Sequence, residues 1–255
     1  VGSEMCIRDS VEVELNLTDL TGNSGTLRYP ETANLLASYP FNGNTNDDSG
    51  NGNDLTPHGG VALTHDRFGS VRSAYKFDGN DDYLISKTNF TGLEDELTIE
   101  LWFYKPENWE SEYQKLIGTG TITGWGFMIS QGPSGDMRLY SHVRNVSKIS
   151  KAAGTNNSPV PDQWHHVVLT YDGNKEILYV DGIKVGEISQ SGNISEPGEL
   201  KIGWVYKTEY FNGKLDDINI SQKALDSSQV LMRSSLVRLD TVSYTHLTLP
   251  TSNDV

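Results

Sequence analysis

The chain has one cysteine, Cys6, so no disulfide can close within it. That lack does not assign a reducing compartment, because exported β-domains can be built without disulfides. Basic side chains are scarce too. Only 20 Lys and Arg stand against 34 Asp and Glu, a net charge of −14. Neutralising phosphates takes clustered Lys and Arg, so this balance argues against nucleic acid and anionic membranes as partners. It suits a surface that meets neutral glycans, proteins or divalent cations. Long apolar runs are also missing, and none approaches the ~20 residues that a membrane-crossing helix needs. The first residues lack the basic start and apolar stretch of a secretory leader. If the protein is exported, its leader lies outside this sequence.

What is present is β punctuation. Glycine is abundant at 25 residues, and the hydrophobic 36% of the chain falls in short alternating runs. Such runs bury one face each and need tight turns between them. Strands are predicted at Leu35–Phe41, Ser73–Phe77, Tyr83–Ile85, Leu97–Tyr104, Lys115–Gly118, Gly126–Ser130 and Met137–His142. Gln163–Tyr171, Glu176–Val180, Ile183–Ile188, Glu199–Gly203 and Gly213–Ile220 complete the set, while Ser147–Val160 is polar and loop-rich. Asp181-Gly182 between two strands is a two-residue connection of the type I′ kind. One helix is predicted, opened by Asp226 with Gln229 as a capping box and running to about Ser235. A dozen strands and one short C-terminal helix make an all-β, antiparallel two-sheet sandwich or jelly roll.

The two ends look foreign to this pattern. Val1–Ser10 has no period, and Val242–Ser252 has only a Thr and Leu alternation. Both resemble translated sequencing linker of the kind found at the ends of metagenomic gene models, or are ordinary chain ends. The expected organisation is an extension over 1–33, the β-domain over 34–236 and a tail over 237–255.

Four motifs in order carry a resemblance. They are Tyr39-Pro-Phe41 with Asp48-Ser-Gly-Asn-Gly52, then Phe77-Asp-Gly79 with Asp82-Tyr83. Trp164-His-His-Val167 with Leu178-Tyr-Val-Asp-Gly182 follows, and Phe211-Asn-Gly-Lys-Leu-Asp-Asp-Ile218 comes last. Together they resemble the laminin-G-like (LamG-like) jelly-roll domains of the concanavalin A-like lectin/glucanase superfamily. In the physics of the motifs, Phe77, Trp102, Trp164 and Tyr179 offer large apolar area to sheet-on-sheet packing. His165 and His166 must point to opposite faces of their strand.

The resemblance implies a calcium ion pinning the first strand region to the last. Asn42, Asp47 and Asp48 of the opening loop, with Asp216, are its candidate ligands, since Ca²⁺ takes carboxylate and amide oxygens. The alternative is that these Asp and Asn residues make turns. A rim site at Asp78, Asp81 and Asp82 is the lesser possibility. A glycan site needs aromatic rings beside hydrogen-bonding groups. Trp204, Tyr206, Tyr210 and Trp125 are its candidates, with Trp109 and Tyr113 behind them, against the alternative of ordinary sheet-edge packing. No catalytic residue is assigned. Glu94, Glu96 and Glu100 lack the spacing of a glucanase strand, in which alternate carboxylates face one cleft.

These readings lead to a non-catalytic extracellular or cell-surface recognition module for carbohydrate or a protein partner. It would be a monomeric domain of a larger adhesion or secreted protein. A structural spacer in an adhesin and a glycan-cleaving enzyme are the rivals.

Overall fold

The computed structural model describes residues 13–18, 24–29, 34–107, 113–120, 127–132, 139–144, 150–154, 159–194 and 198–235. A hairpin comes first, β1 (Val13–Thr18) with β2 (Ser24–Tyr29), a two-stranded sheet of its own. It lies in the stretch read as an extension, and no spacing signal announced it.

The main body then unrolls as β3 (Leu35–Tyr39), β4 (Leu55–His58), β5 (Ala62–Thr64), β6 (Ala74–Asp78) and β7 (Tyr83–Asn89). Next come β8 (Leu97–Tyr104), β9 (Gln114–Thr119), β10 (Phe127–Gln131), β11 (Leu139–Arg144) and β12 (Ser150–Gly154). The chain closes with β13 (Trp164–Tyr171), β14 (Lys175–Val180), β15 (Ile183–Ser189), β16 (Glu199–Ile202), β17 (Asn212–Ser221) and α1 (Ser227–Ser235). A seven-stranded sheet has the order β12-β11-β10-β9-β16-β7-β4. An eight-stranded sheet runs β15-β14-β13-β8-β17-β6-β5, with β3 also paired to β17. Every pairing is antiparallel. The predicted sandwich is the observed one.

Parity along each strand decides what the sandwich encloses. In β8, Leu97, Ile99, Leu101 and Phe103 join the inter-sheet core, and from β13 Val167, Leu169 and Tyr171 meet them. Phe77, Leu84, Phe127, Ile129 and Ile202 enter the same cluster from both sheets. The other parity faces out. Trp102 and Trp164 therefore sit half-buried on the outer face of the eight-stranded sheet and not in the core to which their size had assigned them. Tyr179 also leaves the inter-sheet core. With Val168, Leu225 and Val230 it forms a second small cluster under α1.

Turn chemistry follows the sequence. Asp181 and Gly182 take φ of 50° and 78°, the left-handed pair of a type I′ hairpin between β14 and β15. The Asp226 carboxylate accepts the N–H of Ser228 and of Gln229, and the Gln229 side-chain oxygen accepts the Asp226 N–H. That is the expected capping box. Within the loop-rich stretch 147–160, one strand went unread: β12 pairs with β11 there. At the sheet's outer edge, a polar strand carries no core parity for a pattern reading to detect.

Candidate functional site: an aromatic cluster beside an acidic turn

Register places the first two rings. His58 of β4 lies opposite Tyr83 of β7, and their rings stack at 4.6 Å with an interplanar angle of 3°. Tyr83 faces outward because its neighbour Leu84 takes the core side. The segment 203–211, between β16 and β17, then folds its own rings onto Tyr83. Trp204 lies 5.0 Å and Tyr210 6.5 Å from the Tyr83 ring, and Trp204 stacks on Tyr210 at 5.7 Å and 14°.

Backbone geometry explains why that segment returns on itself. Gly203 has φ +82°, and a Cβ there would collide with the Phe77 ring, so only glycine fits. Its N–H donates to the Leu116 carbonyl, and its own carbonyl accepts the Phe211 N–H, each at 2.8 Å. The Trp204 indole N–H donates to the Lys207 carbonyl at 2.8 Å, which fixes the ring plane. The Lys201 ammonium lies 4.9 Å above the same indole. Tyr83, Trp204 and Tyr210 are half-buried and His58 is exposed, so the four rings form a wet apolar surface.

Beside these rings lies the turn between β6 and β7. Asp78, Asp81 and Asp82 hold oxygens within 4.8 Å of one another, a spacing at which one ion could be shared. Their roles differ. Asp82 is buried and accepts the Gly60 N–H at 2.5 Å and the Asp78 N–H at 2.9 Å, so it staples this turn to the one after β4. Burial raises its pKa, against those two hydrogen bonds and with the help of the Asp78 and Asp81 charges. Asp78 is exposed. Burial would raise it, but hydrogen bonds led by those from the Asn80 backbone and side chain together outweigh that, and its pKa is lowered. Burial, Tyr83 and then Asp81 raise the Tyr210 phenol, which stays a neutral hydrogen-bonding group.

The predicted residues divide. Trp204 and Tyr210 come together as expected, and the rim carboxylates Asp78, Asp81 and Asp82 stand beside them. Tyr206 turns elsewhere: the ammonium groups of Lys115 and Lys207 lie 5.2 Å and 5.5 Å over its ring. Trp125 and Trp109 lie outside the described residues. Tyr113 is exposed, with Lys115 5.6 Å over its ring. His58 and Tyr83 were missed. No spacing rule links them to Trp204, because their meeting depends on the β4–β7 register and on the closure of 203–211.

Two of the four expected calcium ligands are already engaged by other groups. The Asp47 carboxylate accepts backbone N–H groups from Ser38, Ser49 and Asn53, so it knots the opening loop. Asn42 and Asp48 are exposed. Asp216 is buried on β17, where Arg67 donates to it at 3.1 Å and also pairs with Asp217 at 2.6 Å. A guanidinium already occupies the place of a cation. Burial and then the Asp217 charge push Asp216 up to about 8, against the pull of Arg67. Among the described residues, no cluster of three metal-ligand side chains includes Asp47, Asp48 or Asp216.

The model of the laminin-G family Laminin G 3, described as the concanavalin A-like lectin/glucanases superfamily, matches residues 77–231. That stretch is more than half of the chain. The chain belongs to this superfamily. Several solved structures share the concanavalin A-like fold with it. Domain 4 of AbnA, a GH43 extracellular arabinanase from Geobacillus stearothermophilus in complex with arabinotriose, aligns with a TM-score of 0.63 at 21% identity. That alignment covers 79% of this chain and 98% of that one. The binding domain of Paraclostridial Mosquitocidal Protein 1 gives 0.66 at 19% identity over 80% of this chain and 52% of that one. The Botulinum Neurotoxin Type G Receptor Binding Domain gives 0.61 at 18%, with 79% and 51% covered. This concanavalin A-like domain thus spans about half of each toxin domain. At these identities the likeness is one of fold. No curated protein sequence matches the chain.

Proposed function

We propose that the domain is a non-catalytic carbohydrate-recognition module of a larger extracellular or surface protein. Its neutral-glycan site is the His58, Tyr83, Trp204 and Tyr210 surface, with Asp78 and Asp81 as hydrogen-bonding neighbours. The observation that carries this reading is the half-exposed stack of Trp204 on Tyr210 beside exposed carboxylates. Rings of this kind stack on the C–H faces of sugars, while the acids orient hydroxyl groups. The arabinotriose complex of the fold neighbour adds support by analogy. Calcium bound by the Asp78, Asp81 and Asp82 oxygens is the cation arrangement that fits best, and it would tie the turn to a sugar's hydroxyls.

Against catalysis stands the state of Glu100, the strand carboxylate nearest to a glucanase pattern. Burial would raise it, but the His166 hydrogen bond and the Arg233 charge hold it down at about 2. A general acid must keep its proton near neutral pH. Asp82, raised and close to two other acids, has both oxygens committed to backbone N–H groups.

Affinity electrophoresis in gels containing arabinan, laminarin or xylan, with calcium or chelator, tests the reading. Retardation by at least one neutral polysaccharide is expected, and its loss in Trp204→Ala. No retardation by any of them would favour the structural spacer. Reducing ends released from laminarin, agar or alginate would overturn the non-catalytic part.

A further inference from the structure

We propose a second binding surface on the outer face of the eight-stranded sheet, specific for an anionic polysaccharide such as a polyuronate. Four side chains at matched register positions on four adjacent strands compose it. Trp164 of β13 lies opposite Tyr104 of β8, Tyr104 opposite Lys214 of β17, and Lys214 opposite Lys76 of β6. All four have the outward parity of their strands. Lys76 is exposed and the other three are half-buried. At the usual strand spacing the row is roughly 14 Å long, the reach of a short oligosaccharide.

The two lysines are the unusual feature. Like charges directly opposite each other in a sheet destabilise it. In a chain with a net charge of −14, compensation would be easy to supply, yet among the described residues no ion pair reaches Lys76 or Lys214. The neighbouring acids have partners other than the two lysines. Arg67 holds Asp216 and Asp217, the Tyr104 hydroxyl donates to Asp162 at 3.0 Å, and Asn80 donates to Asp78. The Lys214 ammonium rests 4.6 Å over the Tyr104 ring, and Tyr104 meets Trp164 at 5.9 Å in an edge arrangement. Two aromatic rings followed by two cations without an ion pair among the described residues match a ligand that offers sugar C–H faces and carboxylates along one chain.

Leu225, just before α1, and Arg233 within it reach the rows at Thr98, Glu100 and Val168, to one side of this row. The shape also selects the ligand class. A peptide that adds as a strand needs a free sheet edge, whereas this row crosses strands whose backbones are already paired. A helical partner needs an apolar groove, and here half the row is charged.

The test is affinity electrophoresis of the whole chain in gels containing polygalacturonate, at low and high salt. Nonspecific charge would repel this acidic protein from such a gel, so retardation reports a local site. Expected is retardation at low salt that high salt weakens, lost in the K76Q/K214Q double variant and kept in W204A. The double variant removes a repulsion, so its Tm stays at or above that of the parent, and unfolding cannot account for the loss. An unretarded parent chain, or a double variant retarded like the parent, overturns the proposal. So does equal retardation by polyglutamate, because sugar stacking on Tyr104 and Trp164 would then contribute nothing. Binding to polygalacturonate with none to neutral glycans would sink the Trp204 site and leave this one standing.

Discussion

Glu100 is the carboxylate on which the outer face of the eight-stranded sheet is organised. It is 3% exposed, accepts from Arg233 at 2.7 Å, and lies 3.0 Å from Nε2 of His166. The His166 ring is fully buried against Trp102, and its Nδ1 finds no partner. Replacing Glu100 with Gln would remove the counter-charge that Glu100 supplies to the enclosed Arg233 guanidinium. Breaking a buried pair from one side costs about 3–5 kcal/mol, so Glu100→Gln should lower the urea midpoint strongly. A loss below about 1 kcal/mol would mean that the pair behaves as an exposed one. Asp216 makes the opposite prediction. Its folded pKa is raised, so its contribution is fully present below the unfolded value near 3.8 and is lost as pH rises through about 8. Asp216→Asn removes that loss. Relative to the parent, the variant should gain stability steadily from acid to mildly alkaline pH. An unchanged difference across that range would refute the raised value.

At the scale of elements, the segment 203–211 shows how a site depends on one backbone conformation. Gly203→Ala would place a Cβ against the Phe77 ring at a φ that L residues avoid. The expected cost is about 2–4 kcal/mol from strain and overpacking together. Neutral-glycan retention should fall with it, because Trp204 follows directly. If the variant kept both Tm and retention, the launching role of Gly203 would be wrong. The same segment marks the limit of legibility. β8, β13, β14 and β17 were readable because each hides one parity in the core, and the Asp-Gly hairpin and the capping box were readable because turn chemistry is local. β4, β5 and β12 are short or polar and carry too little alternation to register. Trp204 and Tyr210 stood out as aromatics six residues apart, but Tyr83 and His58 join them only through a cross-strand register 25 residues long. The calcium reading kept its alternative for a similar reason: a run of Asp and Asn reads alike whether its oxygens face an ion or their own loop's N–H groups. Trp102 and Trp164 were assigned by size to the core, yet parity turns them outward, which is how the second surface arises.

For the molecule as a whole, these local shifts combine into a pH profile of stability whose sign can be worked out. Glu100 is held below its ordinary 4.5, so its contribution is complete above that value and disappears as pH falls toward about 2. Asp181 acts in the same direction. Burial would raise it, but the His165 hydrogen bond and the His166 N–H lower it. On the other limb stands His165, with Nδ1 at 2.7 Å from the Asp181 carboxylate and Nε2 at 2.8 Å from the Val160 carbonyl. Two acceptors call for two N–H donors, which only the imidazolium supplies. Burial opposes that charge, but the Asp181 and Val160 bonds win and raise the pKa above 6.5. The His165 contribution is therefore complete below 6.5 and is lost as pH climbs through the raised value, while Asp216 declines over an overlapping range. Lys105 runs against them. Its burial lowers it to about 7, so the cost of keeping it charged is relieved as pH rises from there toward 10.5. The acid carboxylates and His165 are all fully engaged only between about 4.5 and 6.5, and Asp216 already declines across that range, so the urea midpoint should peak at its acid end. His165→Gln should flatten the fall just above that range, and it should also soften the acid limb, because Asp181 then loses the His165 hydrogen bond that lowers it. A parent maximum at pH 8 or higher, or a variant that changes only the acid limb, would show that the His165–Asp181 pair does not set the neutral side of the curve.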